Sequence, residues 1–111
     1  FYQSIIGTTN NGRSLHADDW KAVNEFMHKR LPNFYRFITD KRTMLTDYEF
    51  QTSLLIRLHI KPKNIANALG LDGSYVTRVR KSLFKKLFGI SGSSKDLDVQ
   101  IRQIGNFLDE V

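Results

Sequence analysis

The chain has no cysteine, so it can form neither a disulfide bond nor a thiolate metal site. That absence agrees with a reducing compartment. No apolar run approaches the roughly 18 residues that a membrane-spanning helix requires, and no signal-peptide pattern opens the chain. The first residue is Phe1 and not methionine. We therefore expect a segment of a larger protein, with any sensor or anchor lying upstream.

Patterns that carry catalysis are also missing. The three histidines are scattered along the chain and lack the spacing of metal ligands. The acids at 18–19, and Asp96 with Asp98, are typical of helix caps and solvated faces and do not suggest an acid–base pair. The glycines form no phosphate-binding loop. We expect no enzymatic activity, no metal and no cofactor.

Positive charge is concentrated in one part of the sequence. The net charge of +6 and the pI of about 9.8 favour polyanionic partners. Residues 41–88 hold ten lysines and arginines against three acids, a net +7, whereas the rest holds seven bases and eight acids, a net −1. A solvated helix face often explains basic residues, but their concentration in one segment favours nucleic acid.

Apolar residues recur at helical spacing, and no strand-like alternation of useful length occurs, so we predict an all-α fold. Residues 1–16 are expected to form a linker or arm that docks on the core or on a neighbouring chain. A single domain over 17–111 would contain a helical part (17–40), a core (45–88) and a last helix (94–110). Its last apolar stripe consists of Leu97, Ile101, Ile104 and Leu108.

The clearest helix start lies at Thr46, which is followed three residues later by Glu49. This spacing predicts a capping box, with Leu45 and Phe50 as the hydrophobic staple around it. A second start is predicted at Asp72, a residue type that caps helix N-termini. The helix that it opens should extend to about Phe88.

The segment 64–83 has the spacing of a helix-turn-helix, in which two helices cross steeply with very little chain between them. Ala66 is small enough for a close crossing, and Gly70 tolerates a left-handed turn. Ile65 lines the first helix. Val76 and Val79 would return the second helix to the shared core. A coincidental three-helix packing motif is the alternative explanation.

The opposite face of the second helix is polar and basic. Residues near the start of a recognition helix reach base edges in the major groove of DNA. The predicted base-reading residues are Ser74, Tyr75, Thr77, Arg78 and Lys81. Three other lysines, Lys61, Lys63 and Lys85, are predicted to bind phosphates, which set register without reading sequence.

Residues 45–87 resemble the LuxR-type effector domain of bacterial regulators. The shared features are Leu45-Thr46 with Glu49, the pair Ile65-Ala66, and Lys86-Leu87 at the end. The closest resemblance is to the C-terminal domain of tetratricopeptide-repeat regulators, because the segment 20–37 is rich in aromatic residues. The reading helix departs from the Val-Lys-x-His pattern of response regulators, so base preferences do not carry over.

The resemblance implies a winged-helix-like DNA-binding domain that binds double-stranded DNA and regulates transcription. It also implies a cytoplasmic location in a bacterial cell, in a protein that can be membrane-anchored and carries an upstream sensor or tetratricopeptide domain. A homodimer and contact with RNA polymerase are further expectations. The open alternatives are a protein-interaction or dimerisation module of the same fold and a sigma-factor region 4-like promoter-binding domain. RNA is a weaker alternative, since no strand platform with stacking aromatics is expected.

Overall fold

A computed structural model describes residues 2–89, 92 and 94–104. Within these residues the secondary structure consists of seven α-helices and one short 3-10 helix, with no strand. The all-α prediction is confirmed at this level. The helices are α1 (Tyr2–Asn10), α2 (Ala17–Arg30), α3 (Pro32–Asp40), α4 (Asp47–Arg57), α5 (Pro62–Leu69), α6 (Gly73–Phe88) and α7 (Ser94–Gln103), and the 3-10 helix is Arg42–Met44.

The central helix, α4, begins at the capping box that the sequence predicts. The Glu49 amide donates to the Thr46 hydroxyl at 3.1 Å, and the Thr46 amide donates to the Glu49 carboxylate at 2.8 Å. Leu45 and Phe50 on either side are buried, as a hydrophobic staple requires. The body of α4 is buried almost throughout and contacts α5, α6 and α7.

Segment 1–16, expected to be an arm, contains a nine-residue helix that packs on α5. Its polar residues make specific contacts there. The Asn64 amide donates to the Asn10 side chain at 2.7 Å, and the Asn67 amide donates to the Thr9 carbonyl at 2.8 Å. Ile5 is buried in the common core. This segment therefore extends the fold, although it lies outside the part of the sequence with strong helical periodicity.

Helices α2 and α3 pack on each other, and Pro32 separates them at the first position of α3. Phe34 of α3 lies beneath the guanidinium of the buried Arg57 from α4, at 5.9 Å. Phe37 stacks with Phe88 at the end of α6, with ring centroids 6.5 Å apart. These contacts attach the aromatic N-terminal pair to the central helices.

The last helix, α7, covers α4 and α6 and buries Leu97 and Ile101 completely. Ile104 is partly buried against the core, whereas Leu108 lies outside the described residues. Asp98, which we expected to be a solvated or capping acid, is instead buried and paired with Arg80 of α6. That expectation was wrong because Asp98 lies three residues before the buried Ile101, on the side of α7 that meets α6.

Candidate nucleic-acid interface

Helices α5 and α6 are joined by three residues, 70–72. Gly70 has a left-handed backbone (φ 67°), as predicted for this turn. The Leu71 amide donates to the Ala66 carbonyl at 3.0 Å and the Gly70 amide to the Asn67 carbonyl at 3.1 Å. This pair of bonds is a Schellman motif, which uses the last carbonyls of a helix and turns the chain sharply.

The second helix of the pair begins at Asp72, as predicted. Its carboxylate accepts from the Tyr75 amide at 2.8 Å and from the Ser74 hydroxyl at 2.6 Å. The hydrogen bond from Ser74, followed by that from the Tyr75 amide, lowers the pKa of Asp72. The start of α6 is therefore fixed at neutral pH by an ionised cap.

One face of α6 is buried. Val76 and Leu83 lie in the common core, together with Ile65 and Ala66 from α5. Val79 is also buried, but it lines the wall of an open cleft of about 390 Å³ between α4 and α6. The predicted inward set is therefore brought together, with Val79 at its edge.

The opposite face of α6 carries most of the predicted base-reading residues at the surface. Ser74, Tyr75, Arg78 and Lys81 are exposed, and Thr77 is half-buried. The Thr77 hydroxyl donates to the Gly73 carbonyl at 3.0 Å, as the Ser74 hydroxyl does to Asp72. Each hydroxyl has thus already donated its hydrogen. In this arrangement it can accept from an amino group of a base but cannot donate to a phosphate oxygen.

The three predicted phosphate-binding lysines are all exposed. Lys85 continues the surface of α6. Lys61 and Lys63 lie at the start of α5, so the length of that helix, roughly 12 Å for eight residues, separates them from the turn. They would extend a contact surface beyond α6 and do not add to the charge at its start.

Two of the ten cations counted in segment 41–88 do not contribute to this surface. Arg57 and Arg80 are buried. The Arg57 guanidinium donates to the Ile104 carbonyl at 3.1 Å, near the end of α7. The basic concentration seen in the sequence is therefore partly structural, and the surface charge is lower than the count suggests.

Glu49 has a second role that the sequence did not reveal. Its carboxylate accepts from the Ser82 hydroxyl at 2.6 Å and from the Lys86 ammonium at 2.7 Å, both on α6. Burial by itself would raise the pKa of Glu49, but the bonds from Lys86 and Ser82 outweigh it and lower the pKa. The four-residue spacing of Ser82 and Lys86 placed them on one face, but only the fold shows what they meet.

Tyr48 is the other residue that sequence reasoning missed. It lies in the first turn of α4, is 40% exposed, and meets Tyr75 edge-to-face with ring centroids 6.2 Å apart. Tyr75 also lies beneath the Arg78 guanidinium, at 5.3 Å from the ring centroid. The sequence shows a tyrosine beside the predicted helix cap, but it does not indicate which residue Tyr48 contacts.

No protein-family model, curated protein or solved structure matches this chain. Among the described residues there is no helix long and apolar enough to span a bilayer. The same residues contain no cluster of three or more side chains suited to a metal ion.

Proposed function

We propose that this domain binds double-stranded DNA sequence-specifically through a LuxR-like helix-turn-helix formed by α5 and α6, as the effector domain of a bacterial transcriptional regulator. The observation that carries the proposal is the two-sided character of α6. Its apolar face is buried behind a three-residue glycine turn, and its other face exposes Arg78, Lys81 and Lys85. A helix presented in this way fits the major groove, which is about 12 Å wide.

Within this proposal, Arg78 and Lys81 are the principal readers of bases. An arginine can donate two parallel hydrogen bonds to guanine O6 and N7. Ser74 and Thr77 accept from amino groups of adjacent bases. Lys85 binds phosphate, and with Lys61 and Lys63 it supplies affinity without sequence information.

The remaining parts of the proposal follow from the resemblance to LuxR-type domains. They are a cytoplasmic regulator without catalytic activity, an upstream sensor or tetratricopeptide region, a homodimer on DNA, and contact with RNA polymerase. One small module covers few base pairs, which favours two copies on one site. A sigma-factor region 4-like role would use the same α6 surface.

The decisive experiment begins with selection of genomic fragments by the purified domain at physiological salt. Affinity for a selected duplex is then measured over a range of salt concentrations. Six phosphate contacts would give a log–log slope of about −5, since each contributes about −0.9. Absence of duplex binding, or binding that does not respond to salt, would contradict the proposal.

Two variants separate base reading from phosphate binding. Arg78→Ala should lower affinity for the selected site by about 1–3 kcal/mol and relax its sequence preference. Lys85→Ala should weaken selected and random duplexes about equally. An unchanged affinity in Arg78→Ala would mean that the reading helix is misassigned.

A protein-interaction module is the second candidate, and the exposed aromatic pair favours it. Tyr48 and Tyr75 are 40% and 41% exposed and adjoin an open cleft, and aromatic residues are enriched at protein interfaces. In that case the domain would self-associate in sedimentation analysis. Tyr48→Ala would abolish the association, and no duplex would be selected.

A further inference from the structure

We propose that Tyr75 acts on DNA through Arg78, as a positioning residue, and that Tyr48 of α4 holds Tyr75 in place. This inference rests on the proposed function. It replaces the expectation that Tyr75 touches a base directly and adds Tyr48, on a different helix, to the determinants of specificity.

The Arg78 guanidinium lies over the ring of Tyr75. Arg78 is three residues after Tyr75 on α6, a spacing at which helical side chains lie side by side. The guanidinium lies 5.3 Å from the centroid of the Tyr75 ring, within the range of a cation–π contact. Arg78 forms no salt bridge with any described residue, although it attracts the Asp72 carboxylate at longer range. The Tyr75 ring is therefore the side chain that contacts the guanidinium and orients it.

The Tyr75 ring is itself in contact with a second aromatic ring, that of Tyr48. Its ring meets that of Tyr48 at 82°, with centroids 6.2 Å apart, a favoured edge-to-face geometry. Tyr48 occupies the first turn of α4, where Glu49 joins the turn to Ser82 and Lys86 of α6. The two helices therefore fix the position from which Tyr48 contacts Tyr75.

Contact with Tyr75 affects how Arg78 can read a base. A guanidinium in contact with a ring has fewer directions open to its N–H groups, and bidentate recognition of guanine depends on the direction of its N–H edge. An arginine without such a contact would lose more side-chain conformational entropy when it binds DNA. Prior ordering should improve binding to the correct base by roughly 3- to 10-fold, without adding a contact to DNA.

The first test uses the free protein and does not depend on DNA. Nitrogen-15 NMR follows the Nε–H group of Arg78, which is assigned by its disappearance in Arg78→Lys. We expect a ring-current shift and restricted motion in the wild type, loss of both in Tyr75→Leu, and retention in Tyr75→Phe. Tyr48→Leu should partly release the group, whereas Tyr48→Phe should not. An Arg78 signal that is the same in Tyr75→Leu as in the wild type would overturn the inference.

The second test is a double-mutant cycle on the selected duplex. Tyr75→Leu should reduce discrimination between guanine and other bases at one position by roughly 3- to 10-fold, with Tyr75→Phe close to the wild type. In an Arg78→Ala background, Tyr75→Leu should have no further effect. A persistent loss in that background would mean that Tyr75 contacts DNA itself, which would overturn the positioning role.

Failure of the proposed function has a different signature. If no duplex binds with salt dependence, DNA reading is rejected, while the NMR experiment still reports whether Tyr75 orders Arg78. Thermal melting provides the folding control, because both tyrosines are substantially exposed and their leucine variants should remain folded. Lys85→Ala is the matched DNA control, expected to weaken all duplexes without changing base discrimination.

Discussion

Each of three successive helices, α4, α5 and α6, is followed by a residue with a left-handed backbone. The residues are His59, Gly70 and Gly89, with φ values of 63°, 67° and 69°. After α4, the Ile60 amide donates to the Leu55 carbonyl at 3.0 Å and the His59 amide to Ile56 at 2.9 Å. This is the same pattern of bonds as at Gly70, but with a histidine in the position that favours glycine.

Substitution of Gly70 tests the turn between α5 and α6. An added Cβ would meet nothing closer than Ser14 Cβ at 4.0 Å, so the penalty comes from the backbone and not from a clash. Gly70→Ala should lower the free energy of unfolding by about 1–2 kcal/mol. Gly70→Asn should lower it less, because asparagine tolerates this conformation. Urea denaturation measures both, and equal stability of Gly70→Ala and the wild type would argue against the turn.

The opposite change is expected at His59. His59→Gly should raise the free energy of unfolding by about 0.5–1 kcal/mol, since relief of the left-handed strain exceeds the greater entropy of glycine in the unfolded chain. The matched control is His28→Gly, which places glycine near the end of α2 and should destabilise by up to about 1 kcal/mol. If His59→Gly instead lowered the free energy of unfolding, the histidine side chain would stabilise the fold by more than its left-handed backbone destabilises it.

Among the helices, α7 depends most visibly on one charged pair. The Arg80 guanidinium and the Asp98 carboxylate are bonded to each other and nearly inaccessible, with side chains 6% and 11% exposed. Removing one member of such a pair is far more harmful than removing both, because the remaining charge stays buried and loses this ion pair. The docking of α7 on α6 should therefore tolerate loss of the whole pair better than loss of one member.

Asp98→Ala should lower the free energy of unfolding by about 3–5 kcal/mol. The double variant Arg80→Leu with Asp98→Leu should recover most or all of that loss. Gln100→Ala, at an exposed site on the same helix, is the control and should have little effect. Chemical denaturation of the four proteins provides the measurement, and a single variant as stable as the double would contradict the buried pairing.

The helix α1 illustrates how an element can depend on its neighbours. Its sequence is rich in threonine, asparagine and glycine, which are weak helix formers. Its stability comes from α5, through Asn64 and Asn67 and through the buried Ile5. Helical spacing cannot predict such an element, because the contacts that stabilise it involve residues more than 50 positions away.

The molecule as a whole should lose stability as the pH falls, because the pKa values of His59, Glu49 and Asp72 all lie below their ordinary values. His59 lies at the surface, but partial desolvation of its ring, then the charges of Arg102 and Arg57, lowers its pKa below 6.5. The unfolded chain then binds a proton more readily than the native protein, so stability declines as pH falls below about 6.5. The pKa values of Glu49 and Asp72 are also lowered, and their contributions are lost as pH falls through their native pKa values.

Urea midpoints measured from pH 8 to pH 3 should therefore decline in two stages, one near neutral pH and one in acid. His59→Gly should remove the first stage, and Glu49→Gln should reduce the second. A stability profile that is flat between pH 7 and pH 5 in the wild type would contradict the His59 assignment.

Local chemistry made much of the fold predictable. The capping box at Thr46, the cap at Asp72 and the turn at Gly70 each involve residues within a few positions, and all three occur as expected. The buried face of α6 followed from helical spacing. The candidate DNA-binding surface is the complement of that face, which is why its exposed residues could be chosen before the fold was known.

The sequence by itself determined where α4 and α6 begin and where α5 and α6 end, because those signals depend on backbone conformation and near neighbours. Only the tertiary structure decided that Arg57 and Arg80 face the interior and that Glu49 joins α4 to α6. It alone placed Tyr48 beneath Tyr75. A charge or a ring has no fixed environment along a chain, and its role is set by residues that folding brings to it from distant positions.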